Sequence, residues 1–168
     1  MSFFRNMIFA GALALTGAAH ATDVSMANGN VTFSTPDQWM GIMQTDGDPE
    51  VRVFQVPDPS PSGSSSLARV TVTVKQVSDN NDFQQYVAGA MSKARALTGY
   101  QAAGGGSADN FVYTAQENGA QFSYSERYWF KDNKAIQLRC VRPSQSQAGA
   151  AWRAAFDKGC DAIAARLK

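Results

Sequence analysis

The order of hydrophobic patterns along the chain predicts an α+β domain built on an antiparallel sheet. A strictly alternating run over 67–76 is followed by a helical stripe beginning near Phe83, and three more alternating segments precede a helix at the carboxyl end. Blocks of strands separated by single helices are typical of this class, whereas regular strand–helix alternation would indicate a parallel sheet. We therefore expect six to seven strands packed with two main helices.

The first part of the chain is predicted to supply short strands and one long loop. Alternating segments at 30–34, 39–44 and 51–56 are separated by proline and by the turn-forming residues of 46–49. The segment 57–66 contains three prolines, one glycine and five serines, which is typical of a surface loop. We expect this loop to be mobile and to lie within one domain, because the strand before it needs partners that come later in the chain.

The helix in the middle of the chain has a start signal and an apolar face. Asn81 followed three residues later by Gln84 resembles a capping box, and the helix is expected to end near Gly99. Its apolar positions recur at helical spacing: Phe83, Tyr86, Val87, Ala90, Ala94 and Leu97.

The carboxyl-terminal helix carries an apolar stripe that includes a cysteine. The stripe residues are Trp152, Phe156, Cys160, Ile163 and Leu167. On the preceding strand Cys140 shares a face with Ile136 and Leu138, so both cysteines lie on surfaces that must be buried. We predict a Cys140–Cys160 disulfide, which closes a loop of about twenty residues and contributes about 3 kcal/mol; the alternative is two free buried thiols.

Two turns set the register of the last three strands. Asn118–Gly119 is a strong two-residue hairpin signal and pairs Tyr113 with Tyr124. For the turn within 131–134 we expect three residues with a left-handed Asn133, because this pairs Tyr128 with Ile136 and keeps the core face apolar. A two-residue turn would instead place Arg127 opposite Leu138.

The first 21 residues have the pattern of a secretory signal peptide. Arg5 precedes an apolar stretch too short to span a bilayer, and Ala19–His20–Ala21 has the form of a signal peptidase site. We predict cleavage after Ala21, a periplasmic location, a flexible tail over 22–29 and a single domain over 30–168. An oxidising compartment also favours the paired cysteines.

Charge and hydropathy exclude two classes of partner. Without Arg5 the chain carries 14 basic and 14 acidic residues, so it has no general attraction to nucleic acid or to an anionic membrane. No segment after the signal peptide is long and apolar enough to predict a membrane span.

The sequence lacks the residues that most hydrolytic and metal sites require. Its single histidine, His20, lies in the predicted signal peptide, so the mature chain has no imidazole for a nucleophile or a metal. Asp46, Asp48 and Glu50 lack the glycine and glutamate positions of a calcium loop and are interpreted as a turn. Glu126 falls on a core-facing position, where a paired carboxylate is more common than a catalytic acid. We predict no catalytic residue, no metal and no cofactor.

A polar and aromatic face of the sheet is the predicted binding surface. Under the preferred register its residues are Arg69, Lys75, Arg127, Trp129, Gln137 and Arg139. Tryptophan and arginine are the residue types that most often anchor protein interfaces. The competing interpretation is that a helix or loop covers this face and that Trp129 belongs to the core.

Several landmarks together resemble the PsbP/Mog/DcrB-like family. They are the opening Val31–Trp39, the helix start Asp82–Tyr86, the run Tyr128–Leu138 and the closing Trp152, Phe156 and Cys160. The resemblance covers about 30–163 and implies an α/β/α sandwich with a helix on each sheet face, which the residue patterns alone leave open. It implies no active site, since members are accessory, adaptor or chaperone proteins, some of them associated with toxin secretion.

Three functional hypotheses follow. The first is a non-enzymatic periplasmic protein that binds another protein, in its specific form an immunity or adaptor factor for a secreted toxin. The second is a carrier of a small molecule or lipid, with a closed apolar pocket lined by Tyr113, Tyr124 and Tyr128. The third is a hydrolase, which needs two carboxylates, such as Glu126 and an aspartate, to converge in a cleft.

Overall fold

The computed structural model describes residues 21–104, 106–107 and 110–168, and within these it contains nine strands and two α-helices. The strands are β1 (Ala21–Met26), β2 (Val31–Pro36), β3 (Met40–Thr45), β4 (Glu50–Val56), β5 (Ala68–Gln76), β6 (Gln101–Ala102), β7 (Asn110–Glu117), β8 (Ala120–Lys131) and β9 (Lys134–Pro143). The helices are α1 (Asn80–Arg95) and α2 (Gly149–Leu167), and short 3₁₀ turns occupy Ala27–Gly29 and Pro61–Ser64. None of these described helices is both long and apolar enough to cross a bilayer.

A seven-stranded antiparallel sheet lies between two layers. Its strand order is β3-β4-β5-β9-β8-β7-β6. The helix α1 and its buried residues pack on one face, whereas α2 and the separate β1–β2 hairpin pack on the other. The predicted α+β class and the α/β/α sandwich are both confirmed.

The amino-terminal end of α1 is capped two residues earlier than the Asn81–Gln84 signal indicates. Asp79 is the capping residue, and its carboxylate accepts a hydrogen bond from the backbone N–H of Asp82 at 2.9 Å. The residues of α1 that reach the core are Phe83, Val87, Met91 and Ala94. Tyr86, Ala90 and Leu97 are only half-buried, which leaves room along one side of the helix.

The predicted disulfide is present. Cys140 on β9 and Cys160 on α2 are bonded, with their Cα atoms 6.5 Å apart. Both side chains lie in the core formed by Val70, Val72 and Leu138. The bond therefore attaches α2 to the central strands of the sheet.

The first hairpin has the predicted register, but the second does not. Glu117 pairs with Ala120 across Asn118–Gly119, as expected. At the next turn Asp132 and Asn133 both have positive φ, 48° and 53°, and Lys131 pairs with Lys134. This is a two-residue turn of the primed type, whose twist matches that of the strands it joins. The prediction of a three-residue turn is wrong, and Arg127 is the cross-strand neighbour of Leu138.

Two segments are more ordered than the sequence predicts. Ala21–Met26 forms β1 and pairs with β2, so the expected flexible tail over 22–29 is wrong. In the loop 57–66, the Trp152 indole N–H donates to the carbonyl of Pro57 at 2.8 Å. The Asp58 carboxylate accepts a hydrogen bond from the Ser146 hydroxyl at 2.6 Å, so this loop is attached to the region around α2. The predicted signal peptide, up to residue 20, lies outside the described residues.

Candidate binding groove

The two-residue turn divides the predicted binding surface between the two faces of the sheet. Shifting a strand by one residue exchanges its faces. Arg127 and Trp129 therefore lie on the α2 side, where Arg127 pairs with Asp161 at 2.5 Å and Trp129 packs against the core. The prediction that all six residues share one face is wrong for these two.

The other four predicted residues lie on the α1 side of the sheet. Arg69, Lys75, Gln137 and Arg139 are opposite Val141, Ala135, Thr73 and Thr71 in the β5–β9 register. Gln137 and Arg139 also stand beside Tyr128 and Glu126 of β8. The structure thus joins part of the predicted surface to the buried glutamate that the sequence analysis considered separately.

A groove of about 410 Å³ opens between α1 and this part of the sheet. Its floor is formed by Glu126, Gln137 and Arg139. Its wall is one side of α1, with Gln85, Tyr86, Gly89, Ala90, Lys93 and Ala94, together with Leu97 just after the helix. These helix positions recur at steps of one, three or four, so they form one stripe. Small residues near the middle of the stripe leave the space open.

Glu126 lies beneath the groove, and both oxygens of its carboxylate contact neighbouring side chains. Oε1 accepts from the hydroxyl of Tyr113 at 2.5 Å and lies 3.1 Å from Nε of Arg139. Oε2 accepts from the hydroxyl of Tyr128 and from Nε2 of Gln137, the latter at 2.9 Å. Three hydrogen bonds and one ion pair therefore fix the orientation of this carboxylate. The residue is 2% exposed, and its charge is compensated within the fold.

Arg139 is oriented by this carboxylate while part of it reaches the groove. Its Nε is buried and forms an ion pair with Glu126, although the N–H direction does not meet hydrogen-bond geometry. Its guanidinium carbon lies 5.3 Å from the centre of the Tyr124 ring, within the range of a cation–π contact. The side chain is 34% exposed. Among the described residues, no carbonyl or second carboxylate accepts a hydrogen bond from its terminal nitrogens.

The groups around Glu126 keep the protonation states that this network requires. Burial, reinforced by the charge of Glu126, raises the pKa of Tyr86 to about 12 and raises the pKa of Tyr113 and Tyr128 further. Burial alone would lower the pKa of Arg139, but the charge of Glu126 and the interactions with Tyr113 and Tyr124 together outweigh it, and the pKa is raised. The tyrosines are therefore neutral donors and Arg139 is a cation throughout the physiological range.

A second carboxylate, that of Glu117, forms an ion pair and a hydrogen bond on the neighbouring part of the same sheet face. Glu117 pairs with Arg69 at 2.5 Å and accepts a hydrogen bond from the hydroxyl of Tyr124. Burial opposes ionisation of Glu117, but the hydrogen bonds from Arg69 and Tyr124 outweigh it and lower its pKa. Tyr124 thus connects the Glu117 pair to Arg139.

These contacts bear on the two alternatives to protein binding. Tyr113, Tyr124 and Tyr128 are at most 1% exposed, and the rings of Tyr113 and Tyr124 stack 4.6 Å apart. These three side chains fill the core. The carrier hypothesis requires them to line a closed apolar pocket, and they do not. Among the described residues Glu126 is the one carboxylate that lines the groove, whereas the hydrolase hypothesis requires two.

A larger cleft of about 550 Å³ lies beside the turn between β3 and β4. Its acidic residues are already engaged: Arg52 pairs with Asp46 at 2.9 Å and with Glu50 at 2.8 Å. Asp48 accepts a hydrogen bond from the backbone N–H of Gln76 at 2.9 Å. The cleft is larger than the groove, but its acidic residues form ion pairs and hydrogen bonds that stabilise the turn. This agrees with the interpretation of Asp46, Asp48 and Glu50 as a turn.

The contributions of Gly89 and Lys93 and the pairing of Arg139 with Glu126 were not predicted from the sequence. The missing signal was the turn, since a two-residue connection places Glu126 directly opposite Arg139. Gly89 could have been noticed as a glycine in the interior of a predicted helix, where it is unfavourable without a special reason.

Comparison with known proteins identifies the fold. No protein-family model and no curated protein sequence matches the chain. The structure of LpqN, described as involved in cell envelope biogenesis of Mycobacterium tuberculosis, is similar with a TM-score of 0.54 and 13% identity over 88% of each chain. The Saccharomyces cerevisiae Ran-binding protein Mog1p is similar with a TM-score of 0.50 and 11% identity, over 89% of this chain and 93% of Mog1p. At such identities the similarity shows a shared PsbP/Mog1-like fold and nothing more specific.

Proposed function

We propose that this chain is an exported, non-enzymatic accessory protein that binds another protein with the α1 side of its sheet. The observation that carries this proposal is the engagement of the Glu126 carboxylate in three hydrogen bonds and one ion pair within the fold. A buried carboxylate engaged in this way is poorly placed to act as a base or a nucleophile, but its charge can hold an arginine at a surface. Arginine held in this way beside aromatic rings is typical of protein recognition sites.

Export is supported by the disulfide and by the position of β1. Disulfides persist in oxidising compartments, and Cys140–Cys160 is formed. Cleavage after Ala21 would remove one residue from β1 and leave its pairing from Thr22 with Thr35 onward intact. LpqN, which shares the fold, is described as acting in cell envelope biogenesis. The periplasm is therefore the proposed location, and sequencing of the mature amino terminus should begin at Thr22.

A protein partner is supported by the open shape of the groove. Gln85, Gly89 and Lys93 on its helical wall are exposed, so a small molecule placed there would remain largely in water. Small-molecule sites normally enclose most of their ligand. Mog1p, which shares the fold, is described as a Ran-binding protein. We extend the proposal to a secreted effector as the partner, with this chain as its immunity or adaptor factor.

Site-specific photocrosslinking in the producing cells tests the proposal. A photoreactive amino acid at Gln85, on the rim of the groove, should give a discrete crosslinked protein. The matched control places the same group at Lys158, an exposed position on α2. Absence of a product at Gln85, or the same products at both positions, would contradict protein binding on the α1 side. Mass spectrometry of the product tests the narrower proposal, which requires a secreted effector.

A further inference from the structure

Gly89 is a residue that the fold itself does not require. It lies in the interior of α1, where glycine is the least favourable residue after proline. A Cβ added at Gly89 would meet no atom within 4 Å. The glycine of α2 is different, because a Cβ at Gly159 would lie 2.5 Å from the ring of Trp39. Packing explains Gly159, whereas at Gly89 the missing side chain keeps the groove open.

The groove kept open in this way is positively charged. Glu126 and Arg139 form an ion pair, so their charges offset each other, and Arg139 still reaches the space with part of its guanidinium. Lys93 lines the opposite wall and is exposed, and no described carboxylate lies within salt-bridge distance of it. The described lining of the groove therefore carries one net positive charge, that of Lys93.

From this arrangement we propose that the groove receives a carboxylate side chain, aspartate or glutamate, of the partner protein. The terminal nitrogens of Arg139 bind the carboxylate, and Lys93 adds a second charge from the wall of α1. A planar guanidinium oriented by its ion pair with Glu126 is well suited to this contact, because its terminal donors match the two carboxylate oxygens. The proposal rests on the proposed function and names the chemical group that the α1 side recognises.

A carboxylate fits this site better than a phosphate. Phosphate sites usually draw on free backbone N–H groups at a helix amino terminus or in a glycine-rich loop. Here the walls are the middle of α1 and the paired strands β8 and β9, whose N–H groups are already bonded within helix and sheet. Only side chains donate into the groove, and its one net positive charge balances the single charge of a carboxylate.

An NMR titration of the purified, disulfide-bonded protein tests the inference without requiring the partner. The probe is the blocked peptide acetyl-Ala-Glu-Ala-amide, and its glutamine counterpart is the control. The glutamate peptide should shift the amide signals of Gly89, Lys93 and Arg139 with a Kd on the order of millimolar. The glutamine peptide should bind at least about tenfold more weakly, since it lacks the charge that Arg139 and Lys93 recognise. Equal shifts with both peptides would overturn the proposal.

Variants of the helix separate recognition from folding. Gly89→Leu fills the groove without touching the Glu126 network and should weaken peptide binding at least about tenfold, with an otherwise preserved spectrum. Ala88→Leu is the matched control, because Ala88 is exposed on α1 and does not line the groove. Lys93→Gln should weaken binding a few-fold and reduce its salt dependence. Unchanged binding by Gly89→Leu would contradict the assigned site.

Two further results distinguish this inference from the proposed function. Succinate binding as tightly as the glutamate peptide would indicate a free dicarboxylate as the ligand and would overturn the assignment to a protein side chain. A crosslinked partner at Gln85 whose capture is unaffected by Gly89→Leu would leave protein binding standing and reject carboxylate recognition in the groove. Peptide binding without any crosslinked protein would support the carboxylate site and count against a protein partner in the cell.

Discussion

The two faces of the sheet are built from different chemistry. On the α2 face the central strands contribute aliphatic side chains, with Val70 and Val72 completely buried, and a disulfide attaches the helix. On the α1 face the same strands contribute arginine, glutamine and threonine beside the tyrosines and Glu126 of β7 and β8. Close packing on the α2 face stabilises the fold. The α1 face can therefore contain a buried network of polar groups. The predictions below test this division.

The largest effect is expected on the α2 face, from removal of the disulfide. Replacing Cys140 and Cys160 together with alanine should lower the free energy of unfolding by about 3 kcal/mol, because the unfolded chain gains the freedom of the opened loop. Denaturant unfolding measures the change, and a reducing agent should affect the wild-type protein but not the variant. A loss below about 1 kcal/mol would show that the α2 face does not depend on this bond.

The next effect concerns the closest contact of α2. Gly159→Ala should lower the free energy of unfolding by about 1–2 kcal/mol, since the added methyl group collides with Trp39 and the gain in helix propensity offsets only part of the strain. Thermal unfolding and the fluorescence of the tryptophans measure it. An increase in stability would contradict the close packing described for this face.

A smaller, pH-dependent effect is expected on the α1 face. Glu117→Gln should cost about 1 kcal/mol at pH 7, because Arg69 loses its partner in a half-exposed ion pair. The folded-state pKa of Glu117 lies below its ordinary value of 4.5, so its contribution is complete above that pH and is lost as pH falls through the lower value. The stability curves of variant and wild type should converge below pH 4.5. A constant difference down to acid pH would contradict the pairing.

The smallest effect has the opposite sign. Gly89→Ala should raise the free energy of unfolding by about 0.5–1 kcal/mol, because alanine favours the helix and its methyl group meets open space. Thermal unfolding measures this directly, and the same substitution at Gly159 is the matched comparison. A loss of stability would show that α1 packs more closely on the sheet than the groove allows.

Much of the fold could be predicted from the sequence because its strongest patterns are local or face one well-packed core. The stripe of α2 and the alternation of β9 place Cys140 and Cys160 together without knowledge of any other contact. The hairpin at Asn118–Gly119 has a turn chemistry that determines its own register. These signals depend on few neighbours, and the structure confirms them.

The site was harder to predict because a single turn decides it. Asp132 and Asn133 permit either a two-residue or a three-residue connection, and an apolar core face was used to choose between them. That criterion fails where both faces are covered and one of them accepts a polar network. The formation of β1 could not be predicted either, since the sequence of Ala21–Met26 has little hydrophobic pattern and the strand is stabilised by pairing with β2.

The central claim is that Glu126 is a fixed anchor for Arg139. NMR of the Arg139 guanidinium, in the wild-type protein and in Glu126→Gln, tests this most directly. The account predicts restricted motion of the guanidinium in the wild type and clearly faster motion in the variant, while amide signals on the α2 face stay unchanged. A freely moving guanidinium in the wild type, or equal motion in both proteins, would contradict it.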